Sequence, residues 1–157
     1  MVDVNCRPKI VPDRDEYVAR VRRVLRHADV VKVSDEDLAY LAPDVEPVEA
    51  ARELLGLGAS IVLVTAGGKT VNVLSRSGDA TVAVPSVDVV DTIGAGDTFG
   101  AGFLVWWLAS GLGRGQLSSL DRVVRAVEAA TVAAGVVCTR RGADPPWRHE
   151  LPPDWSP

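Results

Sequence analysis

The sequence predicts an α/β fold, a layered sheet flanked by helices with one β-hairpin inserted. Short β-branched runs alternate with segments of helical period. Two runs of strand character, 70–75 and 80–85, flank Ser77-Gly78-Asp79, which reads as a hairpin on the edge of the sheet. The chain then turns to long helices rich in small residues. At 157 residues, 47% hydrophobic and 24% charged, it has the length and apolar content to bury a core as one globular domain.

The elements follow in order. Residues 1–5 read as a short strand, and prolines 8 and 12 mark the loop after it. Tyr17, Val18, Val21, Val24 and Leu25 recur at helical spacing over 14–27, and 29–33 is a compact β-branched strand. Ser34 opens a helix over 34–41, Pro43 and Pro47 break the chain, and a further helix over 48–57 is closed by Gly56 and Gly58. A buried strand over 60–65 leads into the hairpin. Helices are expected over 96–110, where Gly100, Ala101 and Gly102 allow close packing, and over 117–138, rich in alanine and valine. Pro152, Pro153 and Pro157 around Trp155 suggest a surface wrap or a frayed end.

Charge and composition exclude several functions. The formal net charge is −4, and Arg20, Arg22, Arg23 and Arg26 share a turn and a half of one helix, where a solvated surface is the simpler reading than a nucleic-acid interface. Cys6, Cys138, His27 and His149 lack metal-ligand spacing. The longest apolar runs, 103–108 and 129–138, are far short of the ~20 residues of a spanning helix, and no basic-then-apolar signal opens the chain. The expectation is a soluble protein of the reducing cytoplasm, with neither nucleic-acid nor membrane partners.

The strongest chemical signal is Asp91-Thr92-Ile93-Gly94-Ala95-Gly96-Asp97-Thr98-Phe99, preceded by an apolar approach at 87–90 and followed by a helix. Such a glycine turn aims unpaired backbone N–H groups and the positive end of a helix dipole at one point, where a phosphoryl group in transfer is stabilised. Asp97 in the first turn can accept a proton from an attacking hydroxyl, or it can simply cap the helix; the turn alone leaves the two readings level. A nucleotide loop of the Walker type at Gly68-Lys69-Thr70 is excluded, because Leu63 stands where its first glycine belongs and a strand follows instead of a helix. A dinucleotide fingerprint at Gly94-Ala95-Gly96 fails because the third glycine is Gly100.

The Asp91–Asp97 segment resembles the signature Asp-Thr-x-Gly-Ala-Gly-Asp of the PfkB/ribokinase family of carbohydrate kinases. The resemblance implies a ribokinase-like α/β/α fold and ATP-dependent phosphorylation of a sugar hydroxyl. It makes Asp97 the catalytic base and the amides of Gly94, Ala95 and Gly96 the anion hole. Asp91, with Ile93 and Gly142, would support a monovalent cation such as K⁺.

Four further segments fall in the family's order. Asp3-Val4-Asn5-Cys6-Arg7 is similar to the family's Asp-x-Asn-x-Arg strand end, which puts Asn5 and Arg7 near the transferred phosphate. Lys32-Val33-Ser34-Asp35-Glu36-Asp37 stands where relatives carry a magnesium-linked Asn-x-x-Glu, with Ser34 and Asp37 as the replacements; a capping box led by Ser34 explains the same residues equally well. Val64-Thr65-Ala66-Gly67-Gly68-Lys69-Thr70 resembles the turn beside the nucleotide, which implicates Thr65, Gly67, Gly68 and Thr70. The alanine-rich 129–134, with Thr131, and the exit Cys138-Thr139-Arg140-Arg141-Gly142-Ala143 resemble the family's border of the adenine and the cation.

The segments that match correspond to the family's C-terminal, nucleotide-binding half over 1–157, so the N-terminal half that holds the sugar and the lid is expected outside this sequence. ATP, Mg²⁺ and a small sugar are the implied ligands, and the sugar itself is not legible, although Ser34 and 138–146 lean towards fructokinase-like members. A non-catalytic nucleotide-binding or interaction module is the competing reading. Self-association, or pairing with a missing half, is expected through an unpaired strand and an uncovered apolar face around 2–4 and 61–64.

Overall fold

Runs of valine with no polar face belong inside a sheet, and the computed structural model, which describes residues 1–155, places them there. Strands β1 (Val2–Asp3), β2 (Val30–Ser34), β3 (Ile61–Thr65), β4 (Thr70–Ser75) and β5 (Asp79–Ala83) form one mixed sheet in that order. β1 and β3 flank β2 in parallel, and β4 returns antiparallel to β3. Two compact units emerge, residues 1–67 with 71–81 and, within the described residues, 68–70 with 82–155.

In the first unit, helices α1 (Arg14–Leu25), α2 (Asp35–Leu41) and α3 (Pro47–Gly56) bury Leu25, Leu38, Ala51 and Leu54 with Val31, Val33, Val62 and Leu74 of the sheet. Each helix starts for a local reason. Asp13 caps α1 by accepting from Glu16 N at 2.9 Å, and Pro47 opens α3 where a missing N–H costs nothing. Ser34 leads a capping box on α2: its Oγ accepts from Asp37 N at 3.0 Å, and Asp37 Oδ2 accepts from Ser34 N at 3.0 Å. Asp37 Oδ1 also accepts from Cys6 N at 2.7 Å, so one buried carboxylate joins the loop after β1 to the start of α2.

The second unit is built on α4 (Ala95–Ala109) and α5 (Leu120–Cys138). Thr98, Phe99, Gly102, Phe103 and Trp107 form the buried face of α4, and Val123, Ala126, Val127, Ala130 and Ala133 are among the buried residues of α5. A Cβ on Gly102 would sit 3.2 Å from Ala130 Cα and 3.3 Å from Ala133 Cβ, so this glycine sets how closely the two helices approach. Phe103 stacks on Trp107 with centroids 5.8 Å apart.

Two expectations change, and a third, left open between two readings, is resolved. The strand expected over 1–5 is cut to Val2–Asp3, because Asn5 adopts a left-handed φ of 45° that turns the chain away after Val4 N has bonded Lys32 O at 3.0 Å. The segment 61–64 is not an open edge: β3 is paired on both sides and its side chains are buried, whereas β1 and β5 form the edges of the sheet. The tail is a wrap rather than a frayed end. Leu151 and Trp155 are buried against Ala129 and Ala133, with Trp155 Nε1 donating to Ala129 O at 2.7 Å, while Pro157 lies outside the described residues.

Removing Asp37 leaves two inward-facing amides without an acceptor, whereas removing the Ser34 hydroxyl leaves one helix-terminal amide. Asp37→Ala is therefore expected to cost about 3 kcal/mol and Ser34→Ala about 1 kcal/mol in urea denaturation. Equal losses would show that the link from Asp37 to Cys6 contributes nothing.

Candidate active site

The signature segment is held from two directions. Cys138 O, at the C-terminus of α5, accepts from Val90 N at 2.8 Å and from Asp91 N at 3.2 Å, so the helix end is capped by the backbone that leads into the turn. Asp91 then bridges outward: Oδ1 accepts from Ile93 N at 3.1 Å and Oδ2 from Gly142 N at 2.9 Å. The amides of Gly142 and Ile93 hold the Asp91 carboxyl below the usual aspartate range. Asp91, Ile93 and Gly142 thus come together as expected.

Gly94, at φ 80°, is the N-cap of α4, and a Cβ there would lie 2.8 Å from Ala143 Cβ. Glycine is required on both counts, left-handed backbone and contact with the loop after α5. No side chain caps α4, so the first-turn amides of Gly96 and Asp97 are left for an external acceptor. The Ala95 amide differs from expectation: it donates to Thr92 O at 3.1 Å and serves the turn itself, not an anion. Asp97 stands exposed in that first turn.

In the first unit, Asn5, Arg7, Ser34 and Asp37 line one cavity of about 270 Å³. Two further lining residues, Asp3 and Lys32, were not among the expected site residues. Lys32 is 6% exposed, and its Nζ donates to Asp3 Oδ2 at 2.7 Å; Asp3 Oδ1 is buried without a hydrogen-bond partner. The readable signal was a lysine inside an otherwise apolar strand, which needs a buried counter-charge. Cys6 offers no nucleophile here, because burial pushes its thiol up to about 11.

Ser34 Oγ and both oxygens of Asp37 accept backbone N–H groups, the bonding of the capping box that the sequence offered. Thr131 is buried on α5, and its hydroxyl donates to Glu128 O at 2.7 Å. Among the described residues no group of three or more His, Cys, Asp and Glu side chains gathers to hold a metal ion. Thr65 ends β3, Thr70 begins β4, and Gly67, at φ 55°, and Gly68 make the turn between them. No helix among the described residues is long and apolar enough to cross a membrane.

Comparison with known proteins agrees with this geometry. The profile of the pfkB family carbohydrate kinases matches residues 2–150. A fructokinase of Rhizobium leguminosarum bv. trifolii is 36% identical over 121 residues, which are 76% of this chain and 37% of that protein. Among solved structures, a fructokinase of Vibrio cholerae bound to fructose, ADP and a potassium ion is similar with a TM-score of 0.79 and 28% identity, over 90% of this chain and 44% of that one. The aminoimidazole riboside kinase of Salmonella enterica, in complex with aminoimidazole riboside and an ATP analogue, gives 0.76 and 28%, over 90% and 46%. The chain therefore spans less than half the length of these relatives.

Asp91 bonds both amides only as the carboxylate. Its depressed pKa makes this contribution to stability complete above the ordinary aspartate value and lost as pH falls through the lower, folded value. The Gly142 amide resonance is expected to titrate with a midpoint below the normal aspartate range, and the titration should vanish in Asp91→Asn. A midpoint at the ordinary value would contradict the bridge.

Proposed function

Because this chain belongs to the pfkB family of carbohydrate kinases, we propose that it supplies the nucleotide-side machinery of an ATP-dependent sugar kinase. The observation that carries the reading is the entrance to α4: an N-cap glycine with no capping side chain, open first-turn amides, and Asp97 beside them. In the reaction Asp97 takes the proton of the acceptor hydroxyl as its oxygen attacks the γ-phosphorus, and the bond to the β–γ bridging oxygen breaks to release ADP. The amides of Gly96 and Asp97, at the positive end of α4, stabilise the charge that gathers on the transferring phosphoryl oxygens.

The relatives extend this reading. The Vibrio cholerae fructokinase binds fructose, ADP and potassium, which favours a small sugar as acceptor and a monovalent cation beside the turn. Asp91 supports that cation's site by accepting from Ile93 N and Gly142 N and so holding the two segments together, which leaves the cation to backbone carbonyls such as that of Ile93. Such a cation would supply positive charge near the phosphates. Magnesium enters with the nucleotide and is not assigned to Ser34 or Asp37. Asn5 and Arg7 bring a polar and a positive group to the cavity of the first unit, whose lining also holds the acidic Asp3, Glu36 and Asp37. A cytoplasmic location suits an ATP-dependent enzyme of this kind.

Positioning of the acceptor contributes several orders of magnitude to rate, so this chain by itself is expected to show no sugar-dependent ADP release. Rapid turnover by the isolated chain in a coupled assay over a sugar panel would show that these residues hold a complete site. In an assembly that does turn over, Asp97→Asn should lower kcat by about 10²- to 10⁴-fold with ATP affinity unchanged by calorimetric titration. Near-normal kcat would remove Asp97 from the mechanism, and a loss of ATP binding of the same size would reduce it to a structural cap.

A further inference from the structure

The loop that leaves α5 meets the signature turn through two residues: Gly142, whose N–H donates to Asp91 Oδ2 at 2.9 Å, and Ala143, against which Gly94 packs. Both sit inside a bracket made by one side chain. Arg140, just before them, extends Nη1 to Asp144 Oδ2, just after them, at 3.4 Å, and Nη2 to Glu150 Oε1 at 2.5 Å. The Arg140 and Glu150 side chains are 24% and 30% exposed, against 63% and 68% for the Arg20–Glu16 pair on α1, so the solvent screening that weakens a surface ion pair is reduced here.

Glu150 is itself held. Its Oε2 accepts from Trp147 N at 2.7 Å across the short turn Arg148–Glu150. The residues after it are anchored: Leu151 and Trp155 are buried against α5, and the Trp155 indole bonds Ala129 O, about 14 Å back along that helix from Cys138. Arg148 stiffens the same stretch, with its guanidinium carbon 5.9 Å from the Trp155 ring centroid and its two Nη groups donating to Pro152 O and Pro153 O at 3.2 Å each. A tail that served only to cover α5 would need Leu151 and Trp155, but not a carboxylate bonded on both oxygens and turned back to the loop.

We propose that residues 147–155 form a strap that positions the signature turn, with Arg140 as the positioning residue through which it acts. Packing on α5 fixes Glu150, Glu150 fixes Arg140, and the bracket of Arg140 holds Gly142 and Ala143 against Asp91 and Gly94 at the entrance to α4. The inference rests on the kinase reading above, since the turn so held is the one that faces the phosphoryl group. A displacement of about 1 Å in such a turn costs on the order of 10²-fold in rate, so a contact outside the chemistry can control it.

The test follows the Gly142 and Ile93 amides, the two that Asp91 accepts, by hydrogen exchange in nuclear magnetic resonance spectra of the isolated chain at constant pH. Arg140→Met keeps the apolar stem and removes the guanidinium, and Trp155→Ala releases the far end of the strap. Each should speed exchange at Gly142 by at least about tenfold while the Val127 amide, in the middle of α5, exchanges as before, and Arg140→Lys should recover part of the protection. Should Trp155→Ala loosen α5 as well, Glu150→Ala, which removes no buried apolar group, takes its place. A Gly142 amide indifferent to Arg140→Met, or one that speeds only together with Val127, would overturn the proposal. In an assembly that phosphorylates a sugar, Arg140→Met is expected to lower kcat by about tenfold or more with KM for the sugar unchanged; an unchanged kcat would overturn the strap and leave the kinase reading standing. A Gly142 amide that responds to both changes, in a chain that no assembly brings to turnover, would keep the strap and remove the kinase reading.

Discussion

The second unit depends on one tie, the junction of the end of α5 with the entrance to α4. Cys138 O takes two amides from the incoming strand-like segment, the Asp91 carboxylate takes one amide from each side, and Gly94 presses against Ala143. A helix end normally leaves carbonyls unsatisfied; here that deficit is met by the segment that must be held still for the turn to keep its shape. The left-handed Gly94 then follows, since only that conformation brings the backbone from the Asp91 bridge into the first turn of α4 with its amides pointing outward. The alanines and glycines of the two helices belong to the same constraint. Bulkier residues at Gly102 or Ala130 would part α4 from α5 and carry the turn away from the loop at 142–143.

The first unit uses carboxylates in a comparable way. Asp37 satisfies two amides far apart in sequence, and Asp3 neutralises a lysine whose surroundings are otherwise valine. Both are acidic groups in or beside a cavity, where a catalytic or metal role is the tempting reading. The hydrogen bonds give Asp37 a structural role, with both of its oxygens accepting backbone amides. Asp3 divides its two oxygens: Oδ2 is held by Lys32, while Oδ1 keeps an unmet acceptor.

Local chemistry was largely legible in the sequence. The alternation of apolar runs determined the α/β class, Ser34 with Asp37 announced a capping box, Ser77-Gly78-Asp79 announced the hairpin, and the spacing of Gly94, Gly96 and Asp97 announced a glycine turn into a helix with open first-turn amides; all depend on residues within a few positions of one another. Only the tertiary structure decided what acts across long separations. It gave the Ala95 amide to Thr92, buried Thr131, joined Asp37 to Cys6 and Asp91 to Gly142, folded Trp155 onto α5, and paired β3 on both sides. The reason is physical: period and turn chemistry are fixed by neighbours along the chain, whereas the partner of a buried amide and the burial of a given face are set by which distant segments pack there, and one sequence without its contacts does not encode that choice in any short pattern.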